Sequence, residues 1–443
     1  MFESRSFLRQ FSQLAIVNIL SNLMVPLAGL LDVAFLGHLA DIHHLAGVAL
    51  ATILVNYLYW TFGFLRMGTT GLTAQAVGRN DSDTVLLIGL RNGGLALGIG
   101  LLILMMQQPL GQIGFSMLSA NENVKASGMA YYQALIWGAP ATLLNYVLIG
   151  WFLGRGQSGK VLLLSAVGNG AKVLLDYLLI VQWGWLSRGA GYATAWSQVL
   201  MMAIGLFLLV WEFRSKPLAL GWKELLDPTA LKSALWLNSE ILVRSFALIS
   251  TFALFTNLSS VSGTEVLTVN AVLLEVVTFA AFFIDGLAFA TESWAGVLHG
   301  QGTTDGLVRL LKVSGVASLL LGVSVAIAFI VAPVPLFSLL TNHTNVIIGI
   351  QKYVVWLLPI LGLGSIAYLL DGYFLGLTSG RILRNAAIMA LLIGFAPMAA
   401  IAFYYHSNHL LWLSLALFMG VRVVTLGTQV PRTLHPANAS VSD

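Results

Sequence analysis

The chain has 443 residues, 58% of them hydrophobic and 9% charged, with a net charge of +4 and a mean hydropathy of +0.86. A soluble domain carries about 25% charged residues, so the composition points to a protein that crosses a membrane many times. The basic residues are scattered rather than gathered into a patch, which argues against a nucleic-acid surface, and the lack of cysteine excludes disulfides, thiol catalysis and Cys-ligated zinc.

At the N-terminus, Phe2 to Gln13 is polar and merges into the first apolar run without a small-residue cleavage site, so no cleaved signal peptide is expected. That run ends in VPLAGLLDVAFLG, Val25 to Gly37, which holds one proline, Pro26, and one carboxylate, Asp32. A charge at mid-helix in a bilayer costs about 2.5–3.5 kcal/mol, and such residues mark function. Asn18, Asn22, Gly29 and Asp32 fall along one side at helical spacing, a face for other helices or water. Pro26 has no N–H to offer the carbonyl of Asn22, which makes that turn easier to bend.

Apolar runs punctuated by Gly, Pro, Asn and charge predict twelve spans, near 12–37, 45–77, 84–107, 124–154, 158–182, 190–213, 229–257, 266–298, 306–332, 346–377, 382–404 and 409–430. Several exceed the roughly 20 residues that a bilayer needs. Arg5 and Arg9 precede the first span, and Arg79, Arg91, Arg155, Lys160, Arg214, Lys216, Lys223, Lys232, Arg309, Lys312, Arg381 and Arg384 cluster at alternate connections. The positive-inside rule then puts both termini in the cytoplasm of a multi-pass cytoplasmic-membrane protein. Trp183 and Trp185 fit an aromatic belt on the opposite side.

The sequence also repeats. Shifted by 222 residues, Gly150-Trp151-Phe152-Leu153-Gly154 falls on Gly372-Tyr373-Phe374-Leu375-Gly376, with Gly78 on Gly300 and Asp83 on Asp305. Six spans per half give two lobes of the same orientation, related by a pseudo-two-fold axis along the membrane normal. The expected division is an N-lobe over 1–216, a cytoplasmic linker over 217–228 and a C-lobe over 229–443.

Within the fifth span, Asn169, Lys172 and Asp176 are three and four apart and share a face. Glu240 and Arg244 on the seventh are i,i+4 and are expected to pair. Arg66 suggests a gating or structural role, with Asp285 or Glu292 as partners, while Asp285 and Asp371 are further titrating candidates. Tyr57, Tyr59, Trp60, Phe64, Phe279, Phe282 and Phe283 offer stacking and cation–π surfaces for flat cations. Only Arg66, Lys172 and Arg244 are read as intramembrane cations, against Asp32, Asp176, Glu240, Glu275, Asp285, Glu292 and Asp371, a balance that favours cationic substrates. There is no nucleotide-binding glycine loop, no GxSxG and no HExxH, so neither an enzyme nor a cofactor is expected. The eight histidines, His43-His44 among them, show no metal-ligand spacing, and the dispersed acids do not suit a membrane transferase.

The segments Asp32 to Leu39, Gly47-Val48-Ala49 and Phe64 to Ala76, with Leu237-Asn238, Ile284-Asp285-Gly286, Leu369 to Gly372 and Arg384-Asn385, resemble the DinF-like branch of the multidrug and toxic compound extrusion (MATE) transporters. The resemblance covers nearly the whole chain. It implies an all-α, twelve-helix, two-lobe, V-shaped antiporter, monomeric, exporting cationic or amphipathic compounds. It also implies that Asp32 is the proton-responsive group, that the first helix bends at Pro26, that Asp176 and Thr194 lie beside Asp32, and that Asn145 lines the same lobe. Where many such lobes carry asparagine, this chain carries Lys172. A lysine offers donors and a positive charge only, so the expectation is proton coupling with no sodium in the N-lobe. The alternatives are a sodium-coupled exporter and a lipid-linked precursor flippase of the wider superfamily.

Overall fold

The computed structural model describes residues 4–39, 41, 43–116, 118, 120–214, 222–225, 227–341 and 343–434. Every regular element among the described residues is helical. Twelve helices among the described residues are long and apolar enough to cross a membrane. The first six are α1 (Phe7–Gly37), α2 (His43–Gly78), α3 (Ser82–Met105), α4 (Glu122–Gly154), α5 (Ser158–Gln182) and α6 (Leu186–Phe213). The second six are α7 (Pro228–Val261), α8 (Thr264–Gly300), α9 (Thr304–Val331), α10 (Asn345–Gly376), α11 (Gly380–Tyr404) and α12 (Asn408–Leu434). Each matches a span expected from hydropathy to within a few residues. Of the expected linker, residues 217–221 and 226 lie outside the described residues. The short helix Trp222–Leu225 within it receives Arg91, whose guanidinium donates to the carbonyls of Glu224 and Leu225.

Chain contacts form two compact units, one over Leu20–Trp236 and one made of Met1–Ile19 with Leu237–Asp443. Each unit is built on the same plan, and the shift of 222 residues visible in the sequence reappears in the packing. In the first unit Gly150 of α4 seats against the backbone of Arg66, and a Cβ on Gly154 would come within 2.6 Å of the Thr70 carbonyl and 2.7 Å of Thr73 Cβ. In the second, Gly372 of α10 seats against the backbone of Ala288, and Gly376 meets the Glu292 carbonyl and, at 2.9 Å, Ala295 Cβ. Each residue in the second set stands 222 positions after its counterpart, so one glycine-mediated helix crossing has been used twice. Turns follow suit. Left-handed backbone occurs at Asn80 and Gly302, at Gly156 and Thr378, and at Gly184 and His406, with φ between 51° and 70°. A threonine at such a position is strained, and the turn geometry evidently outweighs that cost.

The fifth helix of each half carries a π-helical segment, Tyr177–Gln182 in α5 and Ala390–Phe395 in α11. α4 and α10 are each interrupted by a 3-10 turn, Ile136–Gly138 and Val354–Trp356, shortly before Pro140 and Pro359. Asp81 caps α3 by accepting from the Thr84 amide at 3.0 Å, and the hydrogen bonds from Thr84 hold its carboxyl below the usual range. In the second unit the buried polar knot of Asn270, Asn408, Trp412 and Ser259 is closed internally. Asn270 and Asn408 exchange amide bonds at 2.7 and 2.9 Å, and the Trp412 indole donates to Asn270 at 2.8 Å.

Candidate functional site

Late in α1, Asp32 projects from a stretch whose neighbours Leu30, Leu31 and Val33 are exposed. The helix runs unbroken through Pro26. Asn18 is fully buried, whereas a Cβ on Gly29 would meet open space, so the polar side expected from the sequence is not uniform along its length.

On α5, the four-residue spacing brings Lys172 and Asp176 to one face, as helical geometry requires. The Lys172 ammonium donates to Asp32 Oδ1 and, at 3.0 Å, to Asp176 Oδ2. Asp176 is wholly buried, while the side chains of Lys172 and Asp32 retain 14% and 21% exposure. The buried carboxylate is therefore the inner partner, and Asp32 is the more exposed of the two. With both carboxylates ionised, one cation between them would leave this cluster a single formal negative charge. The π-helical turn begins at the residue after Asp176, which resets the register of the rest of α5.

The other N-terminal candidates serve this centre less directly. Asn169 donates to the Ser165 carbonyl at 2.8 Å and Thr194 to the Ala190 carbonyl at 3.0 Å, both within their own helices. Asn145 reaches α6, donating to the carbonyl and side-chain oxygen of Gln198 at 2.9 and 2.8 Å. Tyr131 and Thr52 were not singled out in the sequence. Buried Tyr131 lies close to Asp32 and Lys172, with Thr52 and Thr194 beside it, whose hydroxyls donate to the Val48 and Ala190 carbonyls at 2.8 and 3.0 Å. The adjacent tyrosines Tyr131 and Tyr132 within α4 were the available signal.

Among the aromatic candidates of this unit, Tyr57 and Trp60 are exposed, whereas Phe64 is buried and packs near Phe62 with ring centroids 5.9 Å apart. Phe64 is thus a packing residue. Asp41, His43 and His44 gather with their ligand atoms within 4.8 Å of one another, a proximity that their sequence spacing did not suggest. His44 Nδ1 is taken up by the Ser187 hydroxyl at 2.8 Å.

The second unit holds a centre of opposite sign. Asp371 on α10 accepts from both Arg244 on α7 and Arg422 on α12, and all three are buried. The i,i+4 pair expected between Glu240 and Arg244 does not form: Arg244 crosses to Asp371, and Glu240 faces Arg384 at 3.7 Å. Helix α7 buries both side chains, and each finds its partner on a different helix. Arg422 was missed because it sits singly in Gly-Val-Arg-Val-Val of the last span. It adds a fourth intramembrane cation to Arg66, Lys172 and Arg244. Asp371, counted with the cavity candidates, is enclosed and doubly paired. Glu292 is wholly buried, and Arg66, Asp285 and Phe282 are half-buried.

Comparison with known proteins gives the frame for these centres. The MatE family model matches twice, over residues 18–178 and 241–401, once in each half. DNA damage-inducible protein F of Escherichia coli is 31% identical over 420 residues, covering 93% of this chain and 90% of the relative. A probable multidrug resistance protein NorM of Thermotoga maritima is 23% identical over 350 residues, covering 76% and 73%. An outward-facing multidrug resistance MATE family transporter of the MOP superfamily superposes with a TM-score of 0.84 at 18% identity, covering 96% of both chains. With its twelve apolar helices and twofold family match, the chain is a multi-pass membrane transporter, not an enzyme, and belongs to the multidrug and toxic compound extrusion (MATE) family.

Proposed function

We propose that this MATE transporter exports cationic or amphipathic organic compounds in exchange for protons, with Asp32 as the proton-responsive carboxylate. The observation that carries the reading is the Lys172 ammonium lodged against both Asp32 and Asp176. An ammonium donates and never accepts, and it stands where two carboxylates would otherwise enclose a metal ion. A sodium ion at that place would meet a fixed positive charge.

The exchange follows from counting charges. With both carboxylates ionised, the cluster is singly negative and attracts a cationic substrate. A proton on Asp32 removes its claim on Lys172, which is left to Asp176, and the cluster becomes neutral. The substrate loses its counter-charge, and α1 loses the tie that fixes its last three turns. Bending is least costly at Pro26, where the Asn22 carbonyl lacks its helical donor. Exposed Tyr57 and Trp60 supply aromatic faces in the same unit. The transporter acts as a monomer in the cytoplasmic membrane with both termini inside, on the strength of its lysine and arginine distribution.

Proteoliposomes separate proton from sodium coupling. A pH gradient alone should drive counterflow of a fluorescent organic cation, and a sodium gradient at equal pH should not. Robust sodium-driven counterflow that disappears in Asp32→Asn would overturn proton coupling in favour of the sodium reading.

A further inference from the structure

At the end of the first unit where α3 gives way to α4 and α5 to α6, the chain encloses a pocket of about 500 Å³, well away in sequence from Asp32. Its lining is unusual for a membrane protein. Gln107, Gln108, Gln112 and Gln133 contribute four carboxamides, Arg188 contributes a guanidinium, and no acidic side chain lines it among the described residues. The wall is firm: the Tyr132 hydroxyl donates to the Gln107 carbonyl at 3.0 Å, and its ring seats over Gly111, where a Cβ would come within 2.8 Å.

We infer that this pocket binds the headgroup of an anionic phospholipid, a phosphodiester bearing a hydroxylated head of the phosphatidylglycerol type. Three features support the assignment. A guanidinium with no carboxylate beside it among the described residues is suited to grip phosphate oxygens bidentately. Carboxamides donate and accept, matching glycerol hydroxyls, while the lack of an acid leaves no partner for the ammonium of a zwitterionic head. The surroundings also place the pocket at the depth of headgroups. Lining Trp137 is 58% exposed, and lining Tyr192 meets Trp185 edge-to-face at 5.9 Å, with Trp183 beside it at 5.5 Å. Such aromatic belts mark the membrane–water boundary. Met105 and Met106, just before Gln107, and Ile113, just after Gln112, are exposed apolar residues alongside which acyl chains can lie.

The test uses the purified full-length protein in detergent, titrated separately with dioleoyl phosphatidylglycerol, dioleoyl phosphatidylethanolamine and glycerol 3-phosphate. Binding is followed by native mass spectrometry and by thermal shift. The wild type should retain phosphatidylglycerol at least about fivefold better than phosphatidylethanolamine, and Arg188→Gln should weaken that binding about tenfold, as expected for a lost charge-assisted pair. Gln112→Ala with Gln133→Ala should weaken it by a smaller factor and decides the matter if Arg188→Gln fails to fold. Equal binding of the two lipids overturns the assignment, as does phosphatidylglycerol binding that neither variant weakens. Equal protection by glycerol 3-phosphate makes the pocket a site for a soluble anion and overturns the lipid.

Discussion

Each of the two units holds a three-membered ion cluster, and with every carboxylate ionised the two are opposites in formal charge. In the first, Lys172 stands between Asp32 and Asp176; in the second, Asp371 stands between Arg244 and Arg422. They are not copies. The 222-residue shift that superimposes the glycine crossings carries Arg244 back to Asn22 and Asp371 back to Ile149, so neither cluster repeats the other. They also differ in access. Asp32 and Lys172 keep part of their surface, whereas Arg422 is 1% and Asp371 4% exposed. A cluster that exchanges a proton needs a route to water. One that is sealed, held by two guanidiniums that do not deprotonate, suits a fixed joint between helices. If the proposed exchange at Asp32 holds, the fold confines its charge switching to one half and uses the other half's charges to join helices.

The comparison breaks most readily at Asp32. Asp32→Asn should abolish drug resistance in a pump-deficient host while leaving expression and monodispersity near wild type. Normal resistance would remove the first cluster from the mechanism, and loss of folding would make it structural like the second.

The reverse outcome is expected for the second cluster. Asp371→Asn leaves two buried guanidiniums without their anion, a loss of about 3–5 kcal/mol, read as poor yield and early thermal unfolding in detergent. Replacing all three members, Asp371→Leu with Arg244→Met and Arg422→Met, should restore most of that stability, since apolar substitutes of similar volume avoid the desolvation cost. A triple variant no more stable than Asp371→Asn would show that the cluster does more than join helices.

Lys172 sharpens the contrast in a different way. Lys172→Asn replaces a donor-only cation with a carboxamide whose oxygen can accept a metal. Sodium-driven counterflow, which the proposed function expects the wild type to lack, should then become measurable. If Lys172→Asn shows no sodium-driven counterflow, the proposal that the lysine keeps a metal out fails.

How much of this was visible in the sequence differs between the units for physical reasons. Twelve spans follow from hydropathy alone, and the repeat follows from glycines that must stay glycines where helices cross. The Lys172–Asp176 face is local, so helical spacing was enough to place it. Which charges meet across helices is not local. Glu240 and Arg244 satisfy the i,i+4 rule, yet Arg244 is drawn to Asp371, 127 residues away, once α7, α10 and α12 are packed. Tyr131 and Thr52 join the first centre only because α2, α4 and α5 converge there, which no periodicity within one span reveals.

The smallest effect is expected at Glu240, and it tests whether the second unit's rigidity resides in the triad or in its buried charges generally. Glu240 is as buried as Asp371, but its ion-pair partner Arg384 stands 3.7 Å away, is 28% exposed and also hydrogen-bonds to Asn385 at 3.0 Å. A pair at that distance with a solvated guanidinium contributes less than about 1 kcal/mol. What holds the carboxylate in place is steric: a Cβ on Gly380 would meet Glu240 Oε2 at 2.6 Å and its Cβ at 2.9 Å. Glu240→Gln keeps that shape and removes only the charge, so thermal unfolding in detergent should shift little. Gly380→Ala keeps the charge and intrudes on the shape, so it should destabilise more than Glu240→Gln does. If Glu240→Gln instead matches the loss seen with Asp371→Asn, the rigidity of the second unit depends on its whole charge network, and the contrast with the first unit is wider than the two triads alone suggest.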